Sequence, residues 1–498
     1  MAQSKSVSNH TTPDLSLYIL TFNCGRTPVQ PEAFAPYLFS ALRSNLPGQL
    51  PPELLVLCLQ ELAPISYAFL GGSFLTPYLD AWNDVVKLAC KDFDTSRSSN
   101  TGDADGDGSS DATVPTTRST DYVNIVSRNL GLTAIMVFAR TDVVDHIGWI
   151  QTAGVGLGVS DMGNKGAVGA RLGYKWKDSS TVHPRSGSLN NEEEDEGPGE
   201  VQLTFVAAHL AAMEDALEQR NEDYKNIVQR LVFVPETKVA TTANKGGGVR
   251  DEHAEDAPLL QGEFDVDSGP AQRNLPAESG IYSAHSHLFF AGDLNYRTSL
   301  LQPSPLDVQE RFPQPTSDET DPKHFKHLLA EDQLTQQVKA GKALHGLTEA
   351  PIDFPPTYKY DPDGSKAVTL DGEQPWPWAR HRWPSWCDRI FFWQPNGDVQ
   401  VRPLKYTSLP LFASSDHRPV ALAATVPLKA VSDTKQDQNA PFTIDPEWKG
   451  RRAMARRKEL VVGLLAYLAL TREGNGLLAA TTIGAVGGWL ILRSLLLV

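Results

Sequence analysis

The segment from Phe289 to Arg297 carries three polar side chains whose types suit phosphate chemistry. The mostly apolar run His287 to Phe290 predicts a buried strand that leads directly into it. Asp293, Asn295 and Arg297 then alternate, and side chains two apart on an extended backbone face the same way. A carboxylate can bind a water or a metal, an amide can donate hydrogen bonds, and a guanidinium can bind phosphate oxygens. We therefore expect these three side chains to share one site.

Four other predicted strands also have polar groups at one end. Asn23 follows Leu15 to Phe22, Gln60 and Glu61 follow Leu54 to Leu59, His209 follows Leu203 to Ala208, and Asp416 and His417 precede Val420 to Val426. Polar residues with purely structural roles would not gather at strand ends so regularly. An enzyme built on a sheet carries its site on the loops at the strand ends, so the pattern favours an enzyme.

This set of side chains favours metal-assisted hydrolysis of a phosphate ester. Mg²⁺ prefers oxygen ligands, usually one or two carboxylates completed by water and substrate phosphate. Glu61 is the first candidate ligand, with Asn23 and Asp416 as further candidates. The sequence has no Cys/His cluster of zinc spacing and no Cys-x5-Arg loop, and its glycine-rich run at 154–166 lacks the ending of a P-loop. Direct attack by a positioned water is therefore favoured over a covalent intermediate.

The chain resembles the inositol polyphosphate 5-phosphatases, a branch of the endonuclease/exonuclease/phosphatase superfamily, over roughly residues 15 to 427. The matching motifs, in chain order, are Thr21-Phe22-Asn23, Leu59-Gln60-Glu61, Gly163-Asn164-Lys165-Gly166, His209-Leu210-Ala211-Ala212, Arg220 to Tyr224, Gly292 to Arg297, Phe354 to Tyr360, Pro384 to Ile390, and Ser415 to Val420. Those at 354–360 and 384–390 are characteristic of the 5-phosphatases, whereas Glu61, Asp293 and His417 belong to motifs shared with nucleases. Two positions depart from the family pattern: Met213 stands where many members have His or Gly, and Phe22 stands where they have Trp.

The resemblance implies a role for each matching residue. Mg²⁺ would be held by Glu61 with help from Asn23. Asp293 would orient or deprotonate the attacking water, while Asn295 and His209 would hydrogen-bond the scissile 5-phosphate. Asp388 would pair with His417 and favour the charged imidazolium. Whether Asp293 or His417 is the working base stays open. Lys359, Arg389 and Tyr358 would grip the neighbouring 4-phosphate, and Lys165 and Arg297 would add positive charge to the site.

The alternation of strands and helices predicts an α/β fold with two packed mixed β-sheets flanked by helices, a four-layer α/β sandwich. Three low-complexity inserts, near 92–120, 178–200 and 241–280, are predicted to be disordered loops. Their net charges of −4, −6 and −5 account for the whole formal charge of −15. The rest of the chain is therefore close to neutral, and a positive site is compatible with the acidic composition.

The two ends of the chain are predicted to lie outside the catalytic domain. Residues 1–14 are polar and are expected to be disordered, and residues 428–458 form a linker that ends in a basic cluster of Arg451, Arg452, Arg456, Arg457 and Lys458. Residues 459–498 are predicted to be a membrane anchor whose main span is 477–498, an apolar run of 22 residues. A helix of this length reaches roughly 33 Å, enough to cross a hydrocarbon core of about 30 Å.

These observations predict a Mg²⁺-dependent phosphoinositide 5-phosphatase that hydrolyses phosphatidylinositol 4,5-bisphosphate. The 3,4,5-trisphosphate lipid and soluble inositol polyphosphates stay open as substrates. The expected partners are a phosphoinositide lipid and the bilayer, with no nucleic acid. The basic cluster and the scarcity of cysteine favour a cytosolic catalytic domain, and the resemblance to tail-anchored family members suggests the endoplasmic reticulum. The alternatives are another phosphodiesterase of the superfamily, a nuclease or sphingomyelinase-like enzyme, or a membrane-anchored scaffold with a vestigial site.

Overall fold

The computed structural model describes residues 14–43, 50–100, 121–176, 199–234, 279–283, 285–361, 375–394, 400–429 and 440–496. Most of the three predicted inserts and residues 1–13 lie outside these ranges. The first insert was predicted to begin near residue 92, but residues 92–100 continue a long helix. Helical structure therefore continues past the predicted start of this insert.

Within these ranges the chain forms twelve strands, ten α-helices and three short 3₁₀ segments. The strands are β1 (Asp14–Asn23), β2 (Leu54–Gln60), β3 (Tyr122–Leu130), β4 (Thr133–Arg140), β5 (Ile147–Gly156), β6 (Gly166–Trp176), β7 (Gly199–His209), β8 (Ser286–Asp293), β9 (Leu347–Glu349), β10 (Asp388–Trp393), β11 (Arg402–Ser408) and β12 (Val420–Pro427). The helices are α1 (Pro31–Leu38), α2 (Ser40–Arg43), α3 (Ile65–Leu70), α4 (Thr76–Asn100), α5 (Leu217–Arg230), α6 (Pro305–Glu310), α7 (Phe325–Leu329), α8 (Gln333–Lys339), α9 (Trp448–Leu470) and α10 (Arg472–Leu496). The 3₁₀ segments are Gly72–Phe74, Val144–His146 and Val159–Asp161.

The strands form two six-stranded mixed sheets. The first has the order β11-β12-β1-β2-β4-β3 and the second β5-β6-β7-β8-β10-β9. In the first sheet, β1 is parallel to β2 and antiparallel to β12. In the second, β8 is parallel to β7 and antiparallel to β10. Each sheet therefore places a parallel pair at its centre, and the ends of those pairs carry the predicted polar residues.

The apolar side chains divide into three buried layers, which follow from alternation along the strands. Leu17 and Ile19 of β1 pack between the sheets together with Leu203 and Phe205 of β7. The intervening side chains of β1, such as Phe22, face α1 and α4 on the outside of the first sheet. Helix α5 covers the outside of the second sheet. The predicted four-layer α/β sandwich is confirmed.

The C-terminal part is helical from Trp448 onward, with a break at Thr471 between α9 and α10. The predicted boundary between linker and anchor at residue 458 falls inside α9, so residues 448–458 are not an extended tether. Helix α10 is long and apolar enough to cross a membrane, and its most apolar stretch buries no side chain against the rest of the protein. Among the described residues it is the one helix with these properties.

Candidate active site

Strand register brings the predicted polar side chains to one edge of the two sheets. Asn23 at the end of β1 lies opposite Gln60 at the end of β2, and Glu61 follows directly. In the second sheet His209 lies opposite Asp293 at the ends of the parallel strands β7 and β8. Asp388, the first residue of β10, pairs with Asp293 from the other side. The strand pairing therefore brings Asn23 next to Gln60, and His209 and Asp388 next to Asp293.

Asp293 is the centre of this group, and its carboxylate is almost completely buried. Oδ2 accepts a hydrogen bond from Nδ2 of Asn23 at 3.0 Å and lies 3.2 Å from Nε2 of His209. Nε2 of His417 is 3.9 Å from the same oxygen. The backbone N–H of Asn295 donates to Oδ1 at 3.1 Å. Donors from both sheets therefore converge on a single carboxylate.

His417 is held in one orientation by Asp388. Nδ1 of His417 donates to Oδ2 of Asp388 at 2.8 Å, and the hydroxyl of Thr357 donates to the same oxygen at 2.7 Å. The backbone N–H of His417 donates to Oγ of Ser415, whose hydroxyl donates to the carbonyl of Asn23 at 2.6 Å. The Asp388–His417 pair expected from the resemblance is therefore present, and it is tied to the end of β1.

The electrostatics of the pair favour a charged imidazolium beside an ionised Asp293. Burial lowers the pKa of His417, but Asp388 and Asp293 more than offset this and raise it to about 9. Burial raises the pKa of Asp388 to about 6, although the His417 charge opposes the shift. For Asp293, burial acts upward, yet His417 and His209 hold its pKa below the ordinary value. At neutral pH the site therefore holds a positive imidazolium next to a carboxylate.

Lys165 and Glu61 border the same group. Nζ of Lys165 contacts Nε2 of His209. Burial lowers the pKa of both Lys165 and His209, with Asp293 and Glu61 acting in the opposite direction. Burial acts to raise the pKa of Glu61, but His209, Arg26 and Lys165 lower it overall. Glu61 is therefore ionised at neutral pH, as a ligand for a hard cation must be.

The chemistry of Glu61 fits a divalent cation better than the Asp293–Asp388–His417 group does. Among the described residues, Asp293, Asp388 and His417 form the group of potential metal-binding side chains whose ligand atoms all lie within 4.8 Å of one another. However, Nδ1 of His417 is already bonded to Asp388, and the raised pKa of the ring favours a proton over a metal at Nε2. The Glu61 side chain is 21% exposed, and its partner Arg26 lies at the surface with 53% exposure. A cation can therefore replace Arg26 without unpairing a buried charge.

Lys359, Tyr358 and Asp416 form the rim of the site. Nζ of Lys359 donates to Oδ2 of Asp416 at 2.6 Å, and a quarter of the Lys359 side chain is exposed. Oδ1 of Asp416 lies 3.9 Å from Nε2 of His417. The Tyr358 ring packs against the His417 ring, with centroids 4.6 Å apart. Asp416, predicted as a metal ligand, is thus engaged by Lys359 and His417.

The backbone that carries Asn295 and Arg297 is not the extended strand that the sequence predicted. The strand ends at Asp293, and Asn295 has a positive φ of 58°, so the three side chains do not alternate on an extended backbone. Arg297 is buried beneath the site, where Nη2 donates to Oδ1 of Asn295 at 2.6 Å and its guanidinium stacks on Tyr358. Arg297 therefore orients Asn295 from below and has no direct exposure to a substrate.

The structure does not bring Arg389 to this cluster. Its guanidinium is fully buried and forms ion pairs with Asp332 at 2.9 Å and Glu349 at 2.5 Å. Arg389 directly follows Asp388 on β10, and successive side chains of a strand point to opposite faces. The prediction that Arg389 grips the substrate is therefore wrong, because the same alternation that directs Asp388 to the site turns Arg389 away from it.

Three residues of the site were not singled out from the sequence. Thr357 and Ser415 orient Asp388 and His417, and both lie inside motifs that the sequence analysis quoted. Arg26 pairs with Glu61 at 2.8 Å, and only its proximity to Asn23 in the chain could have pointed to it. Met213, which departs from the family pattern, lies near the rim, where its sulfur contacts Nη2 of Arg382 at 3.4 Å.

Comparison with known proteins identifies a matching family and several relatives of this chain. Residues 20–423 match the family described as Endonuclease/Exonuclease/phosphatase family 2. The chain is 28% identical over 309 residues to type I inositol polyphosphate 5-phosphatase 13 of Arabidopsis thaliana, covering 59% of this chain and 22% of that protein. It is 26% identical over 303 residues to the type II inositol 1,4,5-trisphosphate 5-phosphatase of Mus musculus, covering 60% and 22%. The chain thus matches about a fifth of the length of these relatives.

Among solved structures, the chain is similar to the inositol polyphosphate 5-phosphatase domain of SpSynaptojanin, crystallised with inositol (1,4)-bisphosphate and a calcium ion. The two share 21% sequence identity and a TM-score of 0.49, with coverage of 90% of this chain and 92% of that one.

Proposed function

Because the chain belongs to endonuclease/exonuclease/phosphatase family 2, we propose that it is a phosphatase that removes the 5-phosphate from phosphorylated inositol rings. Phosphatidylinositol 4,5-bisphosphate is the substrate we favour. The observation that carries the proposal is the buried, ionised Asp293 carboxylate, surrounded by His209, Asn23 and the imidazolium of His417. The homologues that match this chain are inositol polyphosphate 5-phosphatases, which supports a monoester as substrate.

The protonation states divide the work between the two central groups. His417 is protonated at neutral pH, so it is suited to stabilise negative charge on the phosphoryl oxygens. Asp293 is ionised and can accept a hydrogen bond from the attacking water, which fixes the direction of attack. The water oxygen forms a bond to phosphorus while the bond from phosphorus to the ring oxygen breaks, and one proton of the water ends on the ring oxygen, so the products are an inositol hydroxyl and inorganic phosphate. The amide of Asn295 and the imidazole of His209 lie beside Asp293 and would hold the phosphate in line.

Glu61, assisted by Asn23, is the set of side chains that would hold Mg²⁺. When bound there, the ion would supply Lewis-acid polarisation of the phosphoryl group. Lys359 is the side chain that we assign to the 4-phosphate, because its ammonium is partly exposed at the rim and is held by Asp416, whose other oxygen lies 3.9 Å from Nε2 of His417. A cation at the rim of the site suits an inositol ring that carries a second phosphate.

The deciding experiment is phosphate release from a panel of phosphoinositides and soluble inositol phosphates, with Mg²⁺ and with a chelator. The full chain is compared with Asp293→Asn, which keeps the side-chain volume and removes the charge. We expect release from 5-phosphorylated inositol substrates only, dependent on Mg²⁺ and lost in the variant. Cleavage of a nucleic acid or a phosphocholine diester instead would identify one of the other superfamily activities. A cellular role that survives Asp293→Asn would favour the scaffold.

We further propose that α10 anchors the protein in a membrane with the catalytic domain on the cytosolic side, and that this membrane is the endoplasmic reticulum. The length and apolar surface of α10 support the span. The exposed Arg457 and Lys458 of α9 are placed to contact anionic headgroups. Fractionation of cells that express the full chain checks both parts of this proposal. Extraction of the protein by alkaline carbonate would contradict the membrane anchor. Co-localisation with a different organelle would contradict the endoplasmic reticulum.

A further inference from the structure

A fully buried carboxylate on α9 reaches across to the loop that carries Lys165. Glu459 has no exposed surface, and its Oε1 accepts a hydrogen bond from the backbone N–H of Gly163 at 2.9 Å. Arg452 of the same helix pairs with both oxygens, at 2.7 and 3.0 Å. Burying a carboxylate costs stability unless it is fully paired, and an apolar side chain could fill the same volume without that requirement. The polar contacts of this buried side chain therefore point to a role beyond packing, and the one that leaves the helix is the bond to Gly163.

The loop between β5 and β6 has little freedom once Gly163 is fixed. The carbonyl of Gly163 accepts a hydrogen bond from the N–H of Leu132 at 2.9 Å, so Gly163 is held at both of its backbone groups. A Cβ at this position would come within 2.9 Å of the backbone nitrogen of Gly131, which shows how closely the loop packs on the β3–β4 turn. The carbonyl of Lys165 is held in turn by the N–H of Leu157 at 2.9 Å. Lys165 is only two residues from the contact with Glu459.

Helix α9 is itself attached firmly to the catalytic domain. Nη1 of Arg456 donates to the carbonyl of Phe69 at 2.6 Å, at the C-terminal end of α3. A Cβ on Gly463 would lie 2.9 Å from the side chain of Phe69, so the two helices are in direct contact. Glu459 lies between these two attachment points and faces the same way. The position of Glu459 is therefore set by the docking of the whole helix.

We propose that Glu459 is a positioning residue of the active site: through the N–H of Gly163 it fixes the loop that places Lys165 beside His209. This inference rests on the proposed function for its kinetic readout. It joins the helix that leads into the candidate membrane span to the catalytic machinery. Movement of α9 relative to the sheets would displace Lys165 from His209 and lower the rate of the chemical step.

Two conservative variants separate the effect of the length of the Glu459 side chain from the effect of its charge. Glu459→Gln keeps an oxygen at the same distance for Gly163 but loses the negative charge. Glu459→Asp keeps the charge for Arg452 but is one methylene too short for Gly163. With full-length protein in detergent and soluble inositol 1,4,5-trisphosphate as substrate, we expect Glu459→Asp to lower kcat at least about tenfold, since small displacements of catalytic groups are costly, with KM unchanged. Glu459→Gln should retain most of the wild-type kcat.

Amide hydrogen exchange gives a readout that does not depend on activity. Exchange in the peptide containing Gly163 and Lys165 should accelerate in Glu459→Asp and stay slow in Glu459→Gln. Glu447→Asp is the matched control, because it makes the same change at a glutamate that directly precedes α9 and is 76% exposed; it should leave both kcat and the exchange rate unchanged. Wild-type kcat in Glu459→Asp, or an equal loss in both Glu459 variants, would overturn the proposal. A wild-type protein inactive on every inositol phosphate would overturn the proposed function, and exchange would still decide the role of Glu459.

Discussion

Nδ1 of His417 lies 2.8 Å from Oδ2 of Asp388, and this contact determines which edge of the imidazole faces the reacting group. With Nδ1 occupied, Nε2 is left to face Asp293 and Asp416, each 3.9 Å away. The hydroxyl of Thr357 donates to the same Asp388 oxygen, so the carboxylate is itself held in place. The pair therefore controls both the orientation and the charge of His417.

The first prediction concerns the pH profile. Burial lowers the pKa of His417, but Asp388 and Asp293 raise it to about 9, so wild-type kcat/KM should fall as the pH rises through about 9. Asp388→Asn removes the nearest carboxylate and should move this alkaline limb toward the ordinary histidine pKa of about 6.5. The measurement is kcat/KM from pH 5 to 10 for both proteins. An alkaline limb at the same pH in both would show that His417 does not set it.

The same pair predicts how stability depends on pH. A histidine whose pKa is higher in the folded state than in the unfolded state binds its proton more tightly when folded. Its contribution is fully present below about pH 6.5, the unfolded pKa, and is lost as the pH rises through the folded pKa of about 9. Urea unfolding at pH 6 and pH 9.5 should therefore give a smaller drop in the free energy of unfolding for Asp388→Asn than for wild type. Equal drops would contradict the assignment.

The third prediction tests the assignment of Lys359 to the 4-phosphate. Lys359→Ala removes a partly exposed ammonium at the rim, so it should lower kcat/KM for a 4,5-bisphosphate by about 10 to 100-fold, the usual effect of losing a charged hydrogen bond to a substrate. Hydrolysis of a 5-phosphorylated inositol that lacks the 4-phosphate should change little. Lys359→Arg is the matched control and should recover part of the loss. An equal loss on both substrates would mean that Lys359 acts on Asp416 and His417 instead.

The fourth prediction concerns the metal. Glu61→Gln keeps the size of the side chain and removes its charge, so it should raise the Mg²⁺ concentration needed for half-maximal activity by at least about tenfold, since hard cations depend on carboxylate charge. Titration of Mg²⁺ into chelator-treated protein measures this shift. Glu32→Gln, an exposed acid on α1, serves as the control and should leave the titration unchanged. An unchanged Mg²⁺ requirement in Glu61→Gln would place the ion elsewhere.

The fifth prediction separates structure from catalysis at Arg389. Arg389→Met leaves Asp332 and Glu349 buried without their partner, and breaking a buried pair in this way costs about 3–5 kcal/mol of stability. We expect a large fall in the urea midpoint with no change in KM for the protein that stays folded. A rise in KM at full stability would instead return Arg389 to the substrate site.

The sequence was sufficient to predict the strand ends and most of the floor of the site. Apolar runs such as Leu54 to Leu59 mark strands independently of their neighbours, and the polar residues follow at their ends. It was not sufficient for Arg389, because the partners that neutralise it lie outside every quoted motif and 40 or 57 positions away along the chain. The docking of α9 was missed for a related reason. A run of arginines looks like a membrane-surface cluster until one knows that Glu459 among them is buried.

Strand β1, the first of the described strands, lies between β2, which follows it closely in the chain, and β12, which is made about 400 residues later. During synthesis on the ribosome, the edge of β1 that pairs with Val420 to Pro427 stays unpaired until those residues have been made. An unpaired strand edge invites pairing with other chains. The edge of β1 therefore stays open for most of synthesis, and Asp416 and His417 of the site are made together with the strand that closes it.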